Sequence, residues 1–549
     1  MTDLSLPTVT EHPPPTPPAC GKSDTFCIRL WQHMRLDSSG EARVCCAYQA
    51  PTIAQNGVPM NTDRHSLMEI WNSDEMRGLR RDMVEGRRVP ACASCYTEEA
   101  RGAVSLRMRD NIAWEQGWLN EEKATIEEMV ALAVDNDFHL PKLPAMIEVE
   151  TGNLCNLKCR MCHSVNSSLI AKDPVQRSWE ANPNAGNINP SFQRSGRTFR
   201  RVGPIESLVD ELAKETASRV RRLYFLGGEP FLVRELPILI ERLVAAGRAR
   251  QISLLFVSNG SVVPEWLALT EQFRRVDLTI SVDGHGENYE YIRYPGRWAD
   301  LAHNLEQFKQ LTNIYMQVTT TIQANNVLHL TDLFRYLDSI GIGFTGYLLH
   351  YPRYLSVGVL PSPIRRLAAA RLTDYAEVDC RPENRALVLS FAGQIDASND
   401  AGDPSLLRDF MLFTNDLDAS RGQSIHRTDP ELVELLEQAG FPWQHDMLHA
   451  PAASVAEETR RWRLALTQER NAQAKLRKEL DTTSQTLSDE SAQSPDAPEP
   501  SEDRIVFDRH ELAGARLQLA TVYASRSWQL TRPFRSTGRR IRRWLHGVR

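Results

Sequence analysis

VETGNLCNLKCRMCHS, residues 149–164, places Cys155, Cys159 and Cys162 within eight residues, directly after a strand-like run at Met146–Glu150. Three thiolates at CxxxCxxC spacing suit three corners of a cubane iron-sulfur cluster and leave the fourth iron without a protein ligand. Clusters that only carry electrons take four cysteines, so an open iron implies that something else binds there. Read bare, the same residues also suit a zinc ion completed by His163, or three unrelated buried cysteines.

That strand is the first of six. Apolar runs with strand character lie at 146–150, 222–226, 252–257, 276–282, 316–322 and 343–348. Between several of them stand helical patterns, IESLVDELAKETA and PILIERLVAAGRA, with apolar residues three and four apart. Strands alternating with helical crossovers predict an α/β fold with a parallel sheet, wound open or curled into a partial barrel.

The chain has 549 residues, enough for several folded units. Residues 1–23 read as a disordered proline-rich arm, and 24–105 as a small cysteine-rich α+β domain with one helix-like run, SLMEIWNSDEMRGLRRDMVEG. The α/β core spans 140–355, interrupted by a long polar connector at 164–204 of the kind that is functional or disordered. Residues 360–450 read as a mixed extension, 455–487 as a charged helix, 488–504 as a disordered linker and 505–549 as a basic aromatic tail.

The net charge is -6, yet Arg526 to Arg549 holds eight arginines and no acid, which leaves -14 for everything before it. A body so acidic is not expected to bind nucleic acid. The N-terminal stretch lacks the basic and apolar regions of a signal peptide, and no window of about 18 apolar residues is present. A cytoplasmic protein with reduced thiols is expected, and ten cysteines there suggest metal or redox chemistry.

The three-cysteine loop after the first strand resembles that of the radical S-adenosylmethionine (radical SAM) superfamily. The resemblance implies a partial (β/α)6 barrel of the TIM type and a 4Fe-4S cluster on Cys155, Cys159 and Cys162, with S-adenosyl-L-methionine chelating the open iron. Reductive cleavage then gives a 5′-deoxyadenosyl radical that takes a hydrogen atom from substrate. Met161 occupies the position near adenine, where a polarizable thioether suits an aromatic partner.

Further stations follow at strand ends, where a parallel barrel places its ligands. Gly227, Gly228, Glu229 and Pro230 resemble the GGE motif that receives the SAM ammonium, the glycines allowing close backbone approach. Ser258 and Asn259 resemble the next turn. Ser281 and Asp283 resemble polar residues near the ribose or carboxylate, and Arg293 a partner of that carboxylate. Read alone, each of these residues equally suits a turn or a helix cap.

In the first domain, the spacing Cx12Gx4C from Cys27 to Cys45, followed by the CxxC pair Cys92 and Cys95, suits zinc or a four-cysteine cluster when read bare. It resembles SPASM and twitch domains, which implies one auxiliary iron-sulfur cluster on Cys27, Cys45, Cys92 and Cys95. Cys46 is then the spare of the pair, while Cys20 and Cys380 are structural or incidental. The segment LRDFMLFTNDLDASRGQSIHRTDPELVELL resembles part of the same twitch-containing group, which implies a substrate such as a peptide and an electron donor such as a flavodoxin or ferredoxin.

The tail resembles extensions on some glycosyltransferases, which implies a sugar or surface-polysaccharide precursor instead. Its arginines, interleaved with Trp528, Phe534 and Trp544, suit an anionic membrane surface on the inner face. Two rivals stand beside this reading. One is a non-catalytic zinc-binding interaction scaffold; the other is a methyltransferase of radical type.

Overall fold

The computed structural model describes residues 25–49, 52–100, 104–117, 120, 123–181, 204–398 and 404–443. Six parallel strands form in the expected places: β5 (Met146–Glu150), β6 (Arg222–Leu226), β7 (Ser253–Ser258), β8 (Arg275–Ser281), β9 (Ile314–Ile322) and β10 (Gly343–Leu348). Each pairs with the next in sequence order. Because parallel crossovers are right-handed, this order puts every helix on one face, and a sheet covered on one face curls into a partial barrel.

Alternation decides which residues meet those helices. Leu223 and Phe225, Leu254 and Phe256, Val276, Leu278 and Ile280 are all fully buried. Phe225 stacks on Phe256 with ring centroids 5.4 Å apart, and Phe231 packs on Phe256 at 5.5 Å. The other face carries polar residues beside Tyr224 and Leu255: Arg222 there pairs with Asp277 at 2.6 Å, two strands away.

Four shorter strands precede this core. β1 (His33–Leu36) pairs antiparallel with β2 (Ala42–Arg43), while β3 (Ala54–Gln55) and β4 (Val58–Pro59) form a separate hairpin. β1 also pairs in parallel with β5, so the N-terminal region adds two strands to the core sheet, giving eight in all. Register explains the fit. Arg35 lies opposite Glu148, and its guanidinium pairs with both Glu148 and Glu150. His33 joins the same network, its Nε2 3.0 Å from Glu148 and its Nδ1 2.7 Å from the carbonyl of Val44.

Three local expectations change. The single helix expected near residue 70 is two, Leu67–Trp71 and Asp74–Val84, because Ser66 and Ser73 each accept a hydrogen bond from a helix backbone N–H and start a new helix. The connector is partly helical, at Pro174–Ala181. The extension is helical rather than mixed: Ser362–Val378, Pro382–Ala397, Pro404–Arg421 and Pro430–Gln438. The expected charged helix, linker and tail lie outside the described residues.

Burial pushes the Glu148 carboxyl up, but Arg35 and the His33 hydrogen bond overcome this and hold it down at about 2. Its folded value is below the ordinary carboxylate range, so its contribution is present at neutral pH and disappears as pH falls from about 4.3 towards 2. Arg35→Ala takes the ion-pair partner from two buried carboxylates, leaving Glu148 the His33 hydrogen bond and Glu150 that of Ser38 N–H, and a loss of about 3–5 kcal/mol is expected in urea denaturation at pH 7. The loss should shrink in the same assay as pH falls through that window.

Candidate cluster and cofactor site

The end of β6 fixes the start of the cysteine loop. Thr151 N–H donates to Leu226 O at 2.7 Å, Gly228 N–H to Gly152 O at 2.8 Å and Glu229 N–H to Leu154 O at 2.7 Å. A Cβ on Gly227, whose φ is +136°, would stand 2.7 Å from Gly152 O, and one on Gly228 2.4 Å from Leu154 O. The glycines therefore admit the cysteine loop itself, where the sequence reading had them admit a ligand. Further along, Lys158 N–H donates to Tyr294 O at 2.6 Å and Arg160 N–H to Ile292 O at 2.9 Å.

Glu229 is buried and carries the constraint onward. Its carboxylate accepts from Ser258 Oγ at 2.9 Å, Asn259 N–H at 2.6 Å and Phe231 N–H at 3.0 Å. Burial raises its pKa to about 7 against the pull of those donors. A carboxylate has about four acceptor sites, so one is left for an ammonium. Pro230 opens the short helix Pro230–Leu232 that follows. Asn259 Nδ2 donates to Asn156 Oδ1 at 3.0 Å and reaches to 3.8 Å from Cys155 Sγ, so the β7 turn touches the first cysteine.

At the next strand end Ser281 is half-buried, while Asp283 is fully buried. Asp283 accepts from Thr321 N–H at 2.8 Å and pairs with Arg293 Nε at 2.7 Å. Met161 is half-buried against the core. The fold thus gathers all of these residues at the carboxyl ends of the strands.

Cys159 is buried and Cys155 and Cys162 are partly so. Burial pushes the Cys155 thiol up to about 12 and Cys162 well above its ordinary value, and each also feels Cys159. Thiols near enough to oppose one another's ionisation, raised by burial in spite of the nearby Arg293, suit a positive iron centre that takes them as thiolates. A second sign of fit lies at the end of β9. Gln323 and Asn325 are buried, and none of their four side-chain polar atoms has a hydrogen-bond partner among the described residues. Buried amides are seldom left so, and a nucleoside's donors and acceptors would satisfy them. Sequence reading passed over these two, although QANN ending an apolar strand was the available signal.

In the N-terminal region Cys27, Cys45 and Cys95 are buried, Cys92 partly so, and Cys46 exposed. Burial pushes Cys27, Cys45 and Cys92 up to about 12; Cys92 also feels Cys45 and Cys95, and Cys27 feels Cys92. Cys92 thus lies within electrostatic reach of Cys27, Cys45 and Cys95. The helix Leu106–Glu115 backs Cys27, with Arg107 and Asn111 donating to Phe26 O at 2.8 and 3.0 Å. Gln49 N–H donates to Ala91 O at 2.8 Å, tying the turn after Cys45 to the CxxC segment. Cys380 is buried elsewhere, at the end of Ser362–Val378, and Cys20 lies outside the described residues. Among the described residues no group of three or more His, Cys, Asp or Glu side chains is arranged to hold a metal ion, so the fit of both sets rests on thiols within electrostatic reach of one another.

A parallel partial barrel with a three-thiol loop after its first strand defines a cluster-binding α/β protein. Residues 149–327 match the radical SAM superfamily model, and residues 27–96 match that of an iron-sulfur cluster-binding domain, SPASM. The first match implies a 4Fe-4S cluster and S-adenosylmethionine, and the second an auxiliary cluster.

Comparison with curated proteins finds no match. Among solved structures, native anSMEcpe with bound AdoMet is 18% identical, over 43% of this chain and 62% of that one, with a TM-score of 0.30. The chain therefore spans less than two thirds of that relative's length. Streptococcus suis SuiB bound to S-adenosylmethionine is 11% identical, over 63% of this chain and 69% of that one, with a TM-score of 0.31. Among the described residues no helix is long and apolar enough to cross a membrane.

Gly228→Ala should displace the loop, since its new methyl meets backbone at 2.4 Å. After anaerobic reconstitution the variant is expected to hold less iron than wild type by colorimetric assay, with its far-ultraviolet dichroism unchanged. Wild-type iron content would show that the loop tolerates the shift.

Proposed function

We propose that this protein is a radical SAM enzyme that cleaves S-adenosylmethionine reductively and abstracts hydrogen from a substrate. The observation that carries the reading is the gripping of the Cys155, Cys159 and Cys162 loop by the glycine turn after β6. When bound, a 4Fe-4S cluster with S-adenosylmethionine on its open iron supplies a 5′-deoxyadenosyl radical.

The chain's own residues do the rest. Cys155, Cys159 and Cys162 hold three irons. Glu229 offers its remaining acceptor site to the methionine ammonium, and Gly227, Gly228 and Pro230 shape the turn that presents it. Ser258 and Asn259 orient Glu229 and the first cysteine. Arg293, fixed by Asp283, offers its guanidinium to the carboxylate, while Ser281, Met161 and the amides of Gln323 and Asn325 take the ribose and adenine. Cys27, Cys45, Cys92 and Cys95 would hold an auxiliary cluster, which could take up an electron from substrate or position it.

A flavodoxin or ferredoxin supplies the reducing electron in this reading. A peptide is the first substrate class to test, because the resemblance of the N-terminal domain is to maturases; a polysaccharide precursor, suggested by the tail, is the second.

Anaerobically reconstituted wild type, given dithionite and SAM, is expected to form 5′-deoxyadenosine, and Cys159→Ala to form none. Cys92→Ala should lose about half the iron, since each cubane holds four, while keeping nucleoside formation. Colourless wild type that binds neither iron nor SAM would instead support the zinc scaffold.

The tail is proposed to hold the protein peripherally on an anionic membrane. Deleting residues 526–549 should abolish sedimentation with vesicles rich in phosphatidylserine; equal sedimentation of both forms would refute the role.

A further inference from the structure

The helix Pro404–Arg421 and the turn after it reach the back of the cysteine loop. Arg160, between the second and third cysteines, is fully buried; its guanidinium lies 3.6 Å from the Tyr291 ring and pairs with Asp418. Gln423 accepts from the same guanidinium at 3.0 Å and donates to Glu290 O at 3.2 Å. Trp179 Nε1 donates to Asp416 at 2.8 Å. The segment that resembles part of a radical SAM group is thus part of the loop's support.

Its arginine differs from the other cations there. Lys158 pairs with Asp173 at 2.7 Å, Arg160 with Asp418, Arg177 with Glu180 and Arg293 with Asp283 at 2.7 Å. Arg421 is buried at 8% exposure and, among the described residues, has no carboxylate within salt-bridge distance; Asp173, already paired with Lys158, acts on it only from further off. Its Nη2 donates to the neutral Gln176 Oε1 at 2.8 Å, and Gln176 Nε2 donates to Cys159 O at 3.1 Å. The Tyr294 ring lies 5.2 Å away, and Nε and Nη1 have no hydrogen-bond partner among the described residues. An uncompensated buried cation is costly, and unfilled donors add to the cost. An anion nearby offsets both.

We propose that Arg421 is the buried countercharge of the cluster held by Cys155, Cys159 and Cys162, and that it raises that cluster's reduction potential. The inference rests on the cluster reading above. Reduction adds one electron, supplied by an external one-electron donor, and makes or breaks no bond. The paired cations largely cancel with their carboxylates, whereas the unpaired guanidinium presents a net charge one residue from Cys159 and favours the more negative, reduced cluster. Arg421 acts through the cluster, so it is a positioning residue rather than a catalytic one.

The test is a reductive titration of the reconstituted full chain, followed by electron paramagnetic resonance of the signal that changes when SAM is added. Arg421→Gln is expected to shift the equilibrium about tenfold towards the oxidised form, about 59 mV for a one-electron couple. Arg421→Lys should recover most of the shift. Wild-type potential in Arg421→Gln at full iron content overturns the proposal.

If Arg421→Gln holds no iron, Gln176→Glu decides. It sets a carboxylate against the guanidinium without removing it, and the same direction of shift is expected. An unchanged potential there, or loss of iron in both variants, shows a structural role and overturns the proposal. Absence of any SAM-responsive signal in wild type would instead sink the cluster reading itself.

Discussion

Three backbone hydrogen bonds from the end of β6 to the loop after β5 set the position of the site. They continue the parallel pairing of the two strands past the point where the pleat ends, and they require that no side chain stand at Gly227 or Gly228. Glu229 then passes the constraint sideways. Its buried carboxylate binds the β7 turn, and that turn ends on Asn259, which touches Cys155. A change in any one of these contacts is felt by the next, because the groups are buried and each acceptor is shared.

The same strand is held from its other side. Arg35 on β1 pairs with both carboxylates of β5, and His33 links Glu148 to the carbonyl before Cys45. The strand pair that ends two residues before Cys45 and the strand that leads into the Cys155–Cys162 loop therefore belong to one continuous sheet. A polar network at this junction costs desolvation and adds little stability over apolar packing, so a role in fixing register is the better physical account.

Legibility followed the range of the interactions. The six core strands could be read because alternate residues, such as Leu254 and Phe256 in β7, must be apolar to lie under helices. The three-cysteine loop was legible because its spacing is local. The pairing of His33 with Met146 was not, since nothing across a separation of 113 positions records it before the chain folds. The helix break at Ser73 was hidden inside a continuous apolar pattern. Gln323, Asn325 and Arg421 were passed over because amides and arginines are surface residues by default, and only burial marks them out.

Burial also explains how the loop and the helical extension depend on each other. Asp418 receives Arg160, the Tyr291 hydroxyl at 3.2 Å and Ile425 N–H at 2.7 Å, so one carboxylate joins the loop, the helix after β8 and the turn after Arg421. None of these partners has water to fall back on. The loop is therefore held in backbone conformation by neutralised charges, while burial raises its thiols and disfavours their charged form in the absence of a metal. Backbone order and ligand charge are separated in this way: the fold supplies the first in advance, and the second develops only as thiol protons leave for bound iron. Arg421, a buried cation beside this loop with no carboxylate at salt-bridge distance among the described residues, would gain a matching charge as the loop takes up its cluster.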